Sequence, residues 1–193
     1  MRIFYDTEFI EDGRTIDLIS IGLVADDGSE YYAVSSQFSQ RKLAASDWLM
    51  ANVWPSLPQV RGDARMMALA GMREGASAYR QVRRLFDPYH PDVKPRAEIA
   101  RDVHAFILGA NDPELWAWYS AYDHVALCQL FGRMIDLPDG IPMFTSDLKQ
   151  EAQRLGNPRV PKQADGVHNA LADARHDQAI ARFLDSCAAA RDL

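Results

Sequence analysis

Asp6 and Glu8 stand two residues apart in an otherwise apolar run, Ile3-Phe4-Tyr5-Asp6-Thr7-Glu8-Phe9. If that run is a β-strand, its period of two turns both carboxylates to one face. Two anions side by side on an apolar strand repel each other and lose solvation, and a bound cation is the simplest remedy. Ligands that offer only oxygen suit Mg²⁺ or Mn²⁺ better than zinc. On its own the Asp-x-Glu pair reads first as solvated residues at a strand end. Asp123 follows Ser120-Ala121-Tyr122 just after the apolar segment 115–119, where a strand should give way to a helix. Capping that helix is the ordinary work of an Asp in such a place. His168 and Asp173 lie five apart. Five helical steps leave them about 140° out of line, so they converge only if His168 sits in or before the first turn, an entry that Gly166 favours. By themselves, a solvent-facing His and a helix-face Asp explain the pair.

The elements that would carry these residues are legible in part. Residues 2–9, 15–25 and 30–34 are rich in β-branched and aromatic side chains, and Asp26-Asp27-Gly28-Ser29 is a turn, so three strands in an antiparallel meander are expected. Segment 62–86 has helical composition, and Pro88, Pro91 and Pro95 punctuate a connector before a helix at 96–108. We read 59–95 as an insertion carried by the domain. Leu115-Trp116-Ala117-Trp118-Tyr119 is apolar on both faces, which predicts a central parallel strand covered by helices, with both Trp residues in the core. A helix should begin near Asp123, a short edge strand at 143–145, and a helix over 146–155 ended by Gly156. Ile180, Phe183, Leu184 and Cys187 recur at i, i+3, i+4 and i+7 and define the buried stripe of a last helix over 168–190. The layout is mixed α/β.

Length and composition set bounds. With 193 residues, 48% hydrophobic and 25% charged, the chain is sized for one globular domain and is neither disordered nor collagen-like. No apolar stretch approaches the roughly 20 residues that span a bilayer, and no signal peptide is expected ahead of Met1-Arg2-Ile3, so cytoplasm is the expected location. Cys128 and Cys187 form no metal or disulfide pattern and read as small buried thiols. A net charge of −6 argues against coating nucleic acid by charge alone. The charge is uneven, however: residues 61–101 are +4 and the rest −10. Such a segment could face a polyanion or simply be a solvated helical face.

Taken together and in this order, Asp6-Thr7-Glu8, Tyr122-Asp123, and His168 with Asp173 resemble the three exonuclease motifs of the DEDD superfamily, the His marking its DEDDh branch. Phe4-Tyr5-Asp6-Thr7-Glu8-Phe9-Ile10-Glu11-Asp12-Gly13 and Ala121-Tyr122-Asp123-His124-Val125-Ala126-Leu127-Cys128-Gln129-Leu130 are similar to the small bacterial 3′-to-5′ exoribonucleases known as the polyadenylate-specific exoribonuclease AS family. The likeness covers nearly the whole chain except about 59–95. Phe9-Ile10 stands where the wider superfamily often has Thr-Gly, and Ser120 where many members have Asn.

The resemblance implies a single ribonuclease H-like domain over 1–193, a mixed sheet of a three-strand meander plus parallel strands flanked by helices. It implies two Mg²⁺ or Mn²⁺ ions held by Asp6, Glu8, Asp123 and Asp173, with His168 as general base in hydrolysis of RNA 3′ ends or overhangs to 5′-nucleoside monophosphates. Thr7, Phe9 and Tyr122 are the candidate substrate contacts, and a homodimer is expected. A 3′-to-5′ DNA exonuclease and a catalytically silent nucleic-acid-binding scaffold are the competing readings, since no residue here identifies a reader of the 2′-OH.

Overall fold

The computed structural model describes residues 1–73 and 75–191. Its frame is a six-stranded mixed sheet in the order β4-β3-β2-β1-β5-β6. The meander is formed by β1 (Arg2–Glu11), β2 (Ile16–Ala25) and β3 (Glu30–Ser35), paired antiparallel. The turn expected at 26–29 closes with Gly28 at φ 87°, a value that favours glycine. Beyond β3 come α1 (Gln40–Ala45), α2 (Asp47–Asn52), a 3₁₀ turn at Trp54–Ser56, α3 (Gly62–Ala70) and α4 (Ala78–Leu85). The chain returns to the sheet at β4 (Val93–Lys94), parallel to β3, and continues into α5 (Arg96–Leu108). Then follow β5 (Glu114–Ala117), α6 (Ala121–Gln129), β6 (Ser146–Asp147), α7 (Leu148–Arg154) and α8 (Ala170–Ala189).

Alternation along β1 distributes its side chains between two layers. Ile3 and Tyr5 enter a core with Ile99, Val103 and Ile107 of α5 and Ala126 and Leu127 of α6. Phe4 instead packs with Leu148 and Ala152 of α7 and Ile180, Ala181 and Leu184 of α8. A third apolar cluster joins Ile10, Ile19 and Val34 of the meander to Leu43 of α1, Leu49 of α2, and Val82 and Leu85 of α4. The observed mixed sheet with helices on it is the architecture expected from the sequence, and Ile180 and Leu184 are buried as their spacing required. Among the described residues no helix is long and apolar enough to cross a membrane.

Three local expectations are corrected. The strand expected over 115–119 ends at Ala117 and lies between β1 and the two-residue edge strand β6, not at the sheet's centre. Trp118 is therefore past the strand, partly exposed, with the Lys149 ammonium 5.7 Å from its ring centroid. The edge strand expected at 143–145 falls instead at Ser146–Asp147, because Asp147 caps α7, accepting the N–H groups of Lys149 and Gln150 at 2.7 and 3.2 Å. The last helix begins at Ala170, capped by Asn169, which leaves His168 outside it.

Candidate active site

The first two acids sit where β1 changes register. Asp6 is paired with Gly22 and Glu8 with Ser20, and the pairing then shifts so that Phe9 meets Leu18 and Ile19 is the extra residue. A bulge of this kind re-aims side chains at the end of a strand. Gly22 has a second consequence. A Cβ built there would stand 2.4 Å from the Leu171 nitrogen and 2.5 Å from the Ala170 carbonyl carbon and oxygen. The bare backbone at Gly22 therefore lets the first turn of α8 lie directly on the sheet beside Asp6. Nothing local in the sequence marks Gly22 for this role, since it looks like any glycine in an apolar strand.

Asp123 reaches the site from the other layer. β5 pairs with β1 only at Arg2–Phe4, so the edge of β1 is open beyond that point. The Thr7 N–H faces this gap and needs an acceptor. Asp123 Oδ1 supplies it at 2.9 Å and takes the Thr7 hydroxyl at 2.6 Å. Asp123 lies in the first turn of α6, where a carboxylate suits the helix dipole, and it reaches across to bond Thr7. The expected cap role is thus replaced by a link between α6 and β1. Thr7, expected at the substrate, is 4% exposed and faces Asp123.

His168 enters with φ 65°, following Gly166 at 69°. A non-glycine residue in the left-handed region is strained, and such strain gathers at functional sites. The conformation is held at three points. The His168 N–H donates to Asp173 Oδ2 at 2.9 Å, Ser56 Oγ donates to the His168 carbonyl at 2.9 Å, and the Trp48 ring meets the imidazole edge-on with centroids 4.8 Å apart. The Asn169 side chain caps α8 through the Ala172 N–H, and Gln163 Nε2 binds Asp173 Oδ1 at 2.7 Å. His168 Nδ1 lies 3.8 Å from Glu8 Oε1, and one ligand atom each from Glu8, His168 and Asp173 fall within 4.8 Å of one another. Asp6 and Asp123 are outside that tight trio but line the same cavity.

The cavity measures about 600 Å³ and gathers all five residues predicted to do chemistry, with Thr7, Phe9 and Tyr122. The Phe9 and Tyr122 rings face each other at 5.8 Å, and Trp48, Tyr119 and Tyr122 are each more than half exposed at the rim. Sequence reasoning missed Asp177. It is 5% exposed, one turn beyond Asp173, lines the cavity, and accepts the Trp118 N–H at 3.0 Å. The i, i+4 spacing from Asp173 was the available signal. His124, beside Asp123, is engaged elsewhere, with Nδ1 3.0 Å from Thr145 Oγ1 and Nε2 3.0 Å from the Met143 carbonyl.

Electrostatics follow from the burial of several acids together. Loss of water, then repulsion from Asp173 and Asp123, pushes Glu8 up to about 8. Burial likewise lifts Asp123 to about 6 against the two bonds from Thr7. Asp6 and Asp177 are held well above the usual carboxylate range, and Asp173 is raised, in each case mainly by desolvation. Among the described residues no Lys or Arg lines the cavity. Five carboxylates with the imidazoles of His168 and His176 and no thiolate match the ligand preferences of a hard divalent cation, which would supply the missing positive charge.

A family model for the 3′-5′ exoribonuclease Rv2179c-like domain matches residues 1–184. Two curated Mycobacterium tuberculosis proteins are each 44% identical over 177 residues, which cover 91% of this chain and 88% of each relative. They are 3′-5′ exoribonuclease Rv2179c of strain ATCC 25618 / H37Rv and 3′-5′ exoribonuclease MT2234.1 of strain CDC 1551 / Oshkosh. Among solved structures, S. pombe Pop2p in its Mg²⁺- and Mn²⁺-bound form is similar with a TM-score of 0.46 and 13% identity, over 95% of this chain and 81% of that one.

Proposed function

Because the chain belongs to the 3′-5′ exoribonuclease Rv2179c-like domain family, we propose that its cavity removes nucleotides one at a time from single-stranded RNA 3′ ends or overhangs, using two divalent ions and His168 as general base. The observation that carries this reading is the convergence of Asp6, Glu8, Asp123, Asp173 and His168, drawn from three distant stretches of chain, on one cavity whose lining holds no Lys or Arg among the described residues. That is the donor set of the DEDDh pattern. Asp6, Glu8 and Asp173 would hold one Mg²⁺ or Mn²⁺ ion, and Asp6 with Asp123 the other. When bound, the pair supplies positive charge against the phosphoryl oxygens and the leaving 3′ oxygen of an in-line displacement.

The chain's own groups do the rest. His168 Nδ1, the ring nitrogen turned toward Glu8, takes a proton from the attacking water as its oxygen bonds to phosphorus. The bond from phosphorus to the 3′ oxygen breaks, leaving a shortened chain with a free 3′-hydroxyl and a 5′-nucleoside monophosphate. Trp48 packs against the imidazole and Ser56 holds the His168 backbone carbonyl, so the proton acceptor is oriented before substrate arrives. Phe9 and Tyr122 give the terminal base an aromatic surface, a contact worth about 1–3 kcal/mol per base. The enzyme works in the cytoplasm as a homodimer.

The test uses equal-sequence RNA and DNA oligomers, labelled at the 5′ end and incubated with Mn²⁺. Stepwise shortening of RNA is expected, with His168→Ala slower by at least about 10²-fold. Faster loss of DNA assigns the DNA-trimming alternative. Equal, negligible degradation by wild type and His168→Ala leaves the silent scaffold and ends the enzyme reading.

A further inference from the structure

Outside the cavity, α4 presents a cluster of one charge. Val82 and Leu85 are buried while Arg80, Arg83 and Arg84 are exposed at i, i+3 and i+4 and border a concavity of about 460 Å³. Among the described residues none of these three forms an ion pair with a carboxylate. Arg96, Arg133 and Arg175, by contrast, each have a carboxylate partner, and Arg2 has two. Three unneutralised guanidinium groups crowded on one helical face of a chain with net charge −6 repel one another, and a polyanion relieves that repulsion. Planar guanidinium groups match phosphate oxygens in geometry as well as charge.

The face is joined to the cavity through two packed helices. α4 lies on α1, where the Arg41 guanidinium stands 5.7 Å from the Tyr79 ring centroid. α1 lies on α2, and α2 carries Trp48 to the imidazole of His168. At 8–10 Å per helix pair, the arginines stand on the order of 20 Å from the cavity rim. A strand whose 3′ end is in the cavity reaches them only if it is several nucleotides long.

Resting on the exoribonuclease reading above, we infer that the Arg80–Arg83–Arg84 face of α4 is an upstream contact for the phosphate backbone of the RNA substrate and selects for length without reading sequence. Arg84 also donates to the Ala68 carbonyl at 3.3 Å and so ties α4 to α3, which makes Arg80 and Arg83 the positions to test.

Fluorescence anisotropy of labelled 20-nucleotide and 4-nucleotide RNA is measured with the full chain in chelator, where no turnover occurs, across a series of KCl concentrations. At about 0.7 in the logarithmic salt slope per single-strand phosphate contact, the Arg80→Gln/Arg83→Gln double variant should lower the 20-mer slope by about 1.4 and weaken its binding roughly 25-fold at 0.1 M salt. The preference for 20-mer over 4-mer should shrink by the same factor, and Arg80→Lys/Arg83→Lys should keep the slope. An unchanged slope and preference in the Gln variant overturns the inference. So does an unchanged slope with altered mass in solution, which assigns the face to a protein contact. Trimming of the 4-mer by wild type with Mn²⁺ reads the cavity independently: if that fails while the slope change holds, the arginine contact stands and the nuclease reading does not.

Discussion

Binding of Mn²⁺ should expel protons from the carboxylate cluster, because the metal-free site holds them. Glu8, moved from its ordinary 4.5 to about 8, carries about 0.9 of a proton at pH 7 and about 0.1 at pH 9. Asp123, at about 6, adds about 0.1 at pH 7. Ligating carboxylates must be ionised, so filling the site at pH 7 should release at least about one proton, with Asp6 adding to that. Keeping Glu8 ionised at pH 7 without a cation costs roughly 1.4 kcal/mol, a free energy subtracted from binding. Apparent affinity should therefore fall about tenfold for each pH unit below 8 per proton displaced. The same shift has a sign for folding. Between pH 4.5 and 8 the folded chain binds more protons at Glu8 than the unfolded chain does, so the metal-free protein loses stability as pH rises through that window and Mn²⁺ restores it. Isothermal titration at pH 7 in two buffers of different ionisation enthalpy reads the protons directly, as the slope of observed heat against buffer heat. A slope of at least about one is expected for wild type, lower by about one for Glu8→Gln. Saturable Mn²⁺ binding with a slope of zero would refute the account of why these acids share a cavity.

Two further outcomes follow from the way the cluster is held. Gly22→Ala should force the first turn of α8 off the sheet, destabilising the fold by about 1–3 kcal/mol in denaturant titration and lowering kcat more than KM, because His168 and Asp173 move together; full activity would contradict the close approach at Gly22. Thr7→Val removes the 2.6 Å hydroxyl bond to Asp123, a loss of roughly 1.5–3 kcal/mol from a charged acceptor, and should raise the pH at which Mn²⁺-dependent activity appears, whereas Thr7→Ser should restore it. An identical pH profile for wild type and Thr7→Val would show that the hydroxyl does not tune Asp123.

What was readable in advance is what local chemistry specifies. The β-branched and aromatic content of β1 and β2, the Asp26–Ser29 turn and the apolar stripe of the last helix are each set by a few neighbouring residues; the structure keeps the strands and the turn and buries Ile180 and Leu184 of the stripe, with Phe183 and Cys187 partly buried beside them. The five-residue gap between His168 and Asp173 predicted convergence only with His168 in or just before the first turn, and His168 lies just before it. The misreadings cluster where a distant residue settles a local question. Trp118 looks like the fourth residue of an apolar strand, yet its N–H is taken by Asp177, 59 residues later, so the ladder stops at Ala117. Asp123 looks like a helix cap until β5 proves too short to satisfy Thr7. Both cases have one cause: parallel pairing beside β1 ends early, and the backbone groups left without ladder partners are satisfied by carboxylates from helices in either layer. The same early ending opens the crevice at the carboxyl ends of the parallel strands, where α/β sheets take their ligands. Here the cavity and the acids that line it therefore arise from a single structural event, which sequence patterns within any one element cannot express.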